Sequence, residues 1–95
     1  MRIGGRKHIV GFGAKYSDSR ANLSRWVAIT ETARWSNQTE VRAVFASVDF
    51  VGGLAVFNIG GNKYRLIAEI SFRAQFVDVR HVLSHKEYDK GMWKQ

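Results

Sequence analysis

The sequence predicts an α+β domain in which N-terminal helices pack on an antiparallel sheet, followed by a short C-terminal helix. Three observations carry this. Between Arg6 and Phe45 the apolar residues recur at helical spacing. From Leu54 to Leu83 they alternate with polar residues, as strands do. Directly after the last strand, Ser84-His85-Lys86-Glu87 matches a capping box, in which the serine and the glutamate cap each other's backbone at a helix start.

In chain order, residues 2–5 read as a short first strand ended by Gly4-Gly5. Ile9, Phe12, Gly13 and Tyr16 follow i, i+3, i+4, i+7, so a helix is expected from Arg6 to Tyr16. Gly11 and Gly13 each weaken it by about 1 kcal/mol relative to alanine, which predicts fraying or close packing through Gly13. Ser17-Asp18-Ser19 offers N-cap candidates for a second helix. That helix carries Leu23, Trp26, Val27, Thr30 and Ala33 on one stripe, and Trp26 reads as a core anchor. Trp35-Ser36-Asn37-Gln38 is a connector. Thr39 is expected to cap a third, short helix with Val41, Val44 and Phe45 inward. Ser47 to Gly53 reads as a loop or irregular edge segment.

Leu54 to Ile59 is the first long strand, and Gly60-Gly61-Asn62 the hairpin turn, since these residues tolerate positive φ. Tyr64 to Phe72 and Gln75 to Leu83 follow, joined by a two-residue loop at Arg73-Ala74. That loop sets Ile67 opposite Arg80, Leu66 opposite His81 and Arg65 opposite Val82. One face then collects Ala55, Phe57, Ile59, Tyr64, Leu66, Ala68, Ile70, Phe72, Val77, Val79 and Leu83, for the helices to cover. The other collects Asn58, Lys63, Arg65, Glu69, Ser71, Asp78 and Arg80 among Leu54, Val56, Ile67, Phe76 and Val82.

In this register Arg65 and Arg80 are diagonal neighbours, about 7 Å apart at the backbone. An anion between the two guanidinium groups would relieve their repulsion; equally, Glu69 and Asp78 could neutralise them in a solvated salt-bridge face. The helix opened by Ser84 would set His85, Tyr88 and Asp89 on one side. Its free N–H groups favour phosphate. A histidine there can act as general acid or base. A lone surface histidine is commonly incidental, but Arg65, Arg80, His85 and Tyr88 at one sheet edge make a candidate site. His81 falls on the apolar face and reads as structural.

The chain has 95 residues, enough for one small domain. Fifteen Lys and Arg against eight Asp and Glu give a net charge of +7, which favours a polyanionic partner such as nucleic acid or a ribosome. There is no cysteine, so neither disulfides nor thiolate metal sites can form, and a reducing cytoplasm is the simplest home. The Asn-x-Ser/Thr sequons at Asn22 and Asn37 are then chance matches. No apolar run reaches the roughly 20 residues of a membrane span, nor does the N-terminus have a signal peptide's apolar segment.

Several of these stretches also resemble a known family. Val56-Phe57-Asn58-Ile59, Gly61-Asn62-Lys63-Tyr64-Arg65-Leu66-Ile67, and Arg80 with His85-Lys86-Glu87-Tyr88-Asp89 are similar to the HigB family of toxins from bacterial toxin–antitoxin pairs. The resemblance extends upstream through Arg42 to Asp49 and the Trp35 connector, covering about Asn22 to Lys90 of one toxin domain at residues 1–95. Gly11 and Gly13 depart from it, because bulkier residues are expected in that helix.

The resemblance implies a RelE-like fold, with N-terminal helices on a twisted antiparallel sheet. It implies a metal-independent, cofactor-free mRNA interferase that cuts messenger RNA, usually in the ribosomal decoding site. It also implies neutralisation by a HigA-like antitoxin with a helix-turn-helix domain. Arg65 and Arg80 would bind the scissile phosphate, His85 would act as base or acid, and Tyr88 would orient the RNA or share the proton transfer. Asn58, Asn62, Lys63 and Lys86 would contact RNA. Two other readings compete: a toxin of the same fold that binds a protein such as gyrase, and a basic RNA- or ribosome-binding module without chemistry. The gyrase-type binder has no need of a histidine and a tyrosine beside paired arginines, and mapping of message 5′ ends would separate the binding module from a ribonuclease.

Overall fold

A computed structural model describes residues 1–94. Strand β1 (Arg2–Gly4) leads into α1 (Arg6–Lys15), a 3-10 turn at Ser17–Ser19, α2 (Arg20–Thr32) and α3 (Gln38–Val44). Strands β2 (Asp49–Val51), β3 (Leu54–Ile59), β4 (Tyr64–Ser71) and β5 (Phe76–Ser84) follow, then α4 (His85–Asp89) and a 3-10 turn at Met92–Lys94. The order in the sheet is β1-β5-β4-β3-β2. Neighbours are antiparallel except β1, which joins β5 in parallel and makes the sheet mixed. The α+β class and the long strands match expectation, and the expected irregular edge segment contains β2.

The helices cover one face as the stripe predicts. Leu23, Trp26 and Thr30 of α2 are buried, and Trp26 meets Phe57 edge-on at 5.4 Å. Gly13 packs closely rather than fraying: a Cβ there would lie 3.2 Å from Arg20 Cγ, and Arg20 Nε donates to the Gly13 carbonyl at 2.9 Å.

Two caps differ from expectation. Asn37, not Thr39, caps α3: its backbone is extended, and its short side chain accepts from Glu40 N at 3.0 Å. Starting the helix there buries Val41 but leaves Val44, its last residue, 51 % exposed. Ser17-Asp18-Ser19 forms the 3-10 turn and gives α2 no side-chain cap. The Asp18 carboxylate instead accepts from Tyr64 Oη at 2.7 Å and pairs with Lys63 Nζ at 3.0 Å.

The register between β4 and β5 corrects the sequence reading in one place. From Ser71↔Phe76 to Ala68↔Val79 the pairing runs as expected. A β-bulge then leaves Arg80 as an extra residue on β5, so Ile67 pairs with His81, Leu66 with Val82 and Arg65 with Leu83. Ile67 is therefore not opposite Arg80, nor Leu66 opposite His81, nor Arg65 opposite Val82. Beyond the bulge the alternation restarts one residue later. Val82 joins the helix-side core, and Leu83 moves to the opposite face. There Val56, Ile67 and Trp93 form a second buried cluster, with Val51, Leu54, Leu83 and Tyr88 against it. The C-terminal segment thus covers part of the face that the sequence assigned to solvent.

Candidate active site

Arg65 sits where this second cluster meets the start of α4. Its position on the centre strand, facing away from the helices, buries it to 9 % exposure. Nη1 donates to the carbonyls of Asn62 (3.2 Å) and Tyr64 (3.1 Å). The guanidinium lies 5.3 Å from the Tyr88 ring centre, and Nη2 is 3.5 Å from His85 Nδ1. Among the described residues no carboxylate pairs with it. Burying a cation without a counter-charge is costly, so its side chain is positioned for something other than stability.

The sequence explains how α4 reaches this place. Ser84 ends β5 in an extended conformation and accepts from Glu87 N at 3.2 Å, while Glu87 Oε1 accepts from Ser84 N at 3.0 Å. The expected capping box is therefore present, and the Ser84 N–H bond holds the Glu87 carboxyl below its ordinary range. His85 N donates to the Lys63 carbonyl at 3.0 Å, tying the helix start to the end of the β3–β4 hairpin. His85 Nε2 then meets Asp89 Oδ2 one turn on, at 3.4 Å.

Tyr88 stacks on Trp93, with 5.1 Å between ring centres and 13° between planes. Trp93 Nε1 donates to the Tyr88 carbonyl at 3.0 Å. The result is a layered unit of Trp93, Tyr88 and Arg65, with His85 at its edge. Asp89 meets His85 on the helix side that the spacing gave them, whereas Trp93 is not among the residues singled out from the sequence. An aromatic five positions after Tyr88 in a basic tail was the available signal for Trp93.

The other sequence-predicted residues divide. Asn58 is the cross-strand partner of Arg65. Asn62 supplies a carbonyl to Arg65, and Lys63 one to His85, while the Lys63 ammonium turns to Asp18. Lys86 is exposed in the first turn of α4. Arg80 is not brought to Arg65. The bulge places it three residues before Leu83, the partner of Arg65, about 10 Å back along β5. Arg80 Nη2 pairs with Glu69 at 3.1 Å and Nε with Asp78 at 2.9 Å. Of the two arrangements the sequence left open for this arginine, the solvated salt-bridge face is the one formed.

His81 is not in the apolar core of the helix side. It is half-buried beside α1, its ring 6.5 Å from that of His8, and burial with His8 nearby holds its pKa below the ordinary value. Among the described residues no three His, Asp or Glu side chains gather as a metal site. No helix among them is long and apolar enough to cross a membrane.

Comparisons with known proteins bear on this arrangement. The HigB toxin family, described as the RelE-like toxic component of a toxin–antitoxin system, matches residues 19–91. The chain is 42% identical to the mRNA interferase toxin HigB of Escherichia coli (strain K12) over 92 residues, covering 94% of this chain and 88% of that protein. A Shigella flexneri mRNA interferase HigB matches to the same extent. That of Escherichia coli O6:H1 is 30% identical over 79 residues, 80% of this chain and 77% of its own. Family match and relatives span the same elements that assemble the Arg65 site, and this chain belongs to the HigB toxin family.

Proposed function

We propose that this protein is the toxin of a type II toxin–antitoxin pair, an endoribonuclease that cuts messenger RNA and so arrests translation and growth. The relatives it matches are named mRNA interferases. The observation that carries the reading to particular residues is Arg65. It is a buried guanidinium without a carboxylate, held by two carbonyls and a tyrosine face, with an imidazole nitrogen at its free edge.

The chemistry follows from that geometry. Arg65 neutralises the non-bridging oxygens of the scissile phosphate, where charge grows in the transition state. The neighbouring ribose 2′-oxygen attacks phosphorus, an O2′–P bond forms, the P–O5′ bond breaks, and a cyclic phosphate and a 5′-hydroxyl result. His85 serves the proton transfers at Nδ1, the nitrogen facing Arg65. Asp89 accepts from Nε2 and keeps the ring in the tautomer whose Nδ1 lone pair is available. Tyr88, clamped between Trp93 and Arg65, is the platform that orients the guanidinium. Asn58, Asn62, Lys63 and Lys86 surround the site as RNA contacts. Arg80, held by two carboxylates, meets a flanking phosphate rather than the scissile one.

The excess of positive charge suits an RNA-rich target, and cleavage on the translating ribosome is the setting we assign. The partner that silences it is a HigA-like helix-turn-helix antitoxin. The test is controlled expression in bacteria with mapping of message 5′ ends. Growth arrest with new 5′ ends inside coding regions is expected. Arrest with intact messages, or with DNA-damage signalling instead, would overturn the reading.

A further inference from the structure

A second polar feature lies next to this site. β1 pairs only with Phe76–Asp78 of β5, and beyond that point α1 runs beside the strand. The seam between them is a groove of about 320 Å3. Lys7, His8 and Lys15 line it from α1, Tyr16 from the residue that follows, His81 from β5, and Glu87 from α4.

Its charge is unbalanced. Among the described residues Lys7 and Lys15 are in no ion pair; Lys15 lies over the Tyr16 ring, at 5.5 Å, and its charge reaches Glu87 without a direct contact. The two imidazoles stand 6.5 Å apart, and burial, with His8 and Arg80 nearby, holds the His81 pKa below its ordinary value. The single carboxylate, Glu87, is already engaged by Ser84 N. Of the groups that line the groove, Lys7 and Lys15 would attract an anion and Glu87 alone would oppose it. The groove also adjoins the proposed active site directly. Its wall includes Leu83, the cross-strand partner of Arg65, and Glu87, which lies between His85 and Tyr88 on α4.

We infer that this groove is a second subsite for single-stranded RNA, holding a nucleotide beyond the two that are joined at the cleavage point. Lys7 and Lys15 meet the two phosphates that flank it, and the imidazole of His8 offers a flat face to its base. A basic groove with interleaved rings is how proteins track a single strand without reading its sequence. The inference rests on the ribonuclease reading for its ligand.

The test uses 2′-O-methyl oligoribonucleotides, which lack the attacking hydroxyl, and follows binding by fluorescence anisotropy. The doubly substituted Lys7→Ala/Lys15→Ala chain should bind a hexanucleotide about tenfold more weakly and show a salt dependence shallower by about 1.4 in slope. A dinucleotide, which fills only the Arg65 site, should bind it as it binds the parent. His8→Ala should weaken the hexanucleotide alone as well. Both lysines are exposed, so these variants should keep the parent's melting temperature. Unchanged hexanucleotide binding overturns the inference, as does equal weakening at both lengths or a parent that binds neither. Preferential binding of poly-glutamate by the groove would overturn it too, in favour of an acidic protein partner. A parent that cuts messages while the lysine variants bind normally would sink the subsite alone. A parent that binds through the groove but cuts nothing would sink the ribonuclease reading alone.

Discussion

Arg65 Nη2 and His85 Nδ1 stand 3.5 Å apart, although they come from the centre of the sheet and from the first turn of α4. An arginine can only donate, so the imidazole nitrogen it faces must accept. The other nitrogen meets Asp89, which can only accept when ionised. Both contacts are met by the tautomer with its proton on Nε2, which leaves the Nδ1 lone pair for a general base.

Arg65→Met should separate stability from activity. The guanidinium contributes charge that the buried site does not neutralise, and methionine fills similar space beneath Tyr88 without that penalty. The urea midpoint should hold or rise, while message cleavage in cells falls by about 100-fold or more. A variant that unfolds more readily than the parent would mean that Arg65 holds the fold together, and the site assignment would lose its main support.

Much of this was legible in the sequence, and the failures have definite causes. The alternation of β3 and β4, the stripe ending in Trp26 and Thr30, and the capping box at Ser84 are local signals, and each formed as read. The bulge at Arg80 has no such signal, because one unpaired residue leaves the composition of a strand unchanged. That single residue moved Val82 to the core, Leu83 to the other face, and Arg80 away from Arg65. The layer of Tyr88 on Trp93 was hidden for another reason. It depends on the chain turning back at Gly91, whose φ is +72°, and tail aromatics carry no periodic pattern.

Arg80→Ala follows from the bulge. Its ion pairs with Glu69 and Asp78 are solvent-exposed, and such pairs contribute at most about 1 kcal/mol. The variant should fold normally and lose less than about tenfold in cleavage, far less than Arg65→Met. A loss as large as that of Arg65→Met, measured on the same messages, would return Arg80 to the scissile phosphate.

Trp93→Ala should cost about 3 kcal/mol, as removal of a buried indole does, and should also lower cleavage. Trp93 touches no substrate in the proposed mechanism. It acts by holding the Tyr88 ring under Arg65. Trp93→Phe, which keeps a ring to stack, should restore most of the activity but only part of the stability. If the phenylalanine variant recovered stability without recovering cleavage, the stacked platform would not be what positions Arg65.

The last prediction concerns the hairpin that feeds carbonyls to both Arg65 and His85. Asp18 clamps its base: the Tyr64 hydroxyl donates to one oxygen and Lys63 pairs with the other. The Tyr64 hydrogen bond, with Lys63 next, holds the Asp18 carboxyl below its ordinary 3.8. A carboxyl depressed in the folded state binds fewer protons there than in the unfolded chain. Its stabilisation is therefore complete above about 3.8 and is lost as pH falls through the lower folded value. The same hydrogen bond raises Tyr64 above 10.0, so that partner's share is complete below 10.0 and is lost as pH rises through the folded value. Asp18→Ala should melt below the parent at neutral pH, with the gap closing on acidification below 3.8. At neutral pH it should also cut messages several-fold more slowly, because Asn62 and Lys63 then present their carbonyls less rigidly. Melting curves across the acid range check the first part. Should the gap between parent and variant stay constant down to the lowest pH, the carboxylate would not be the group that holds the hairpin.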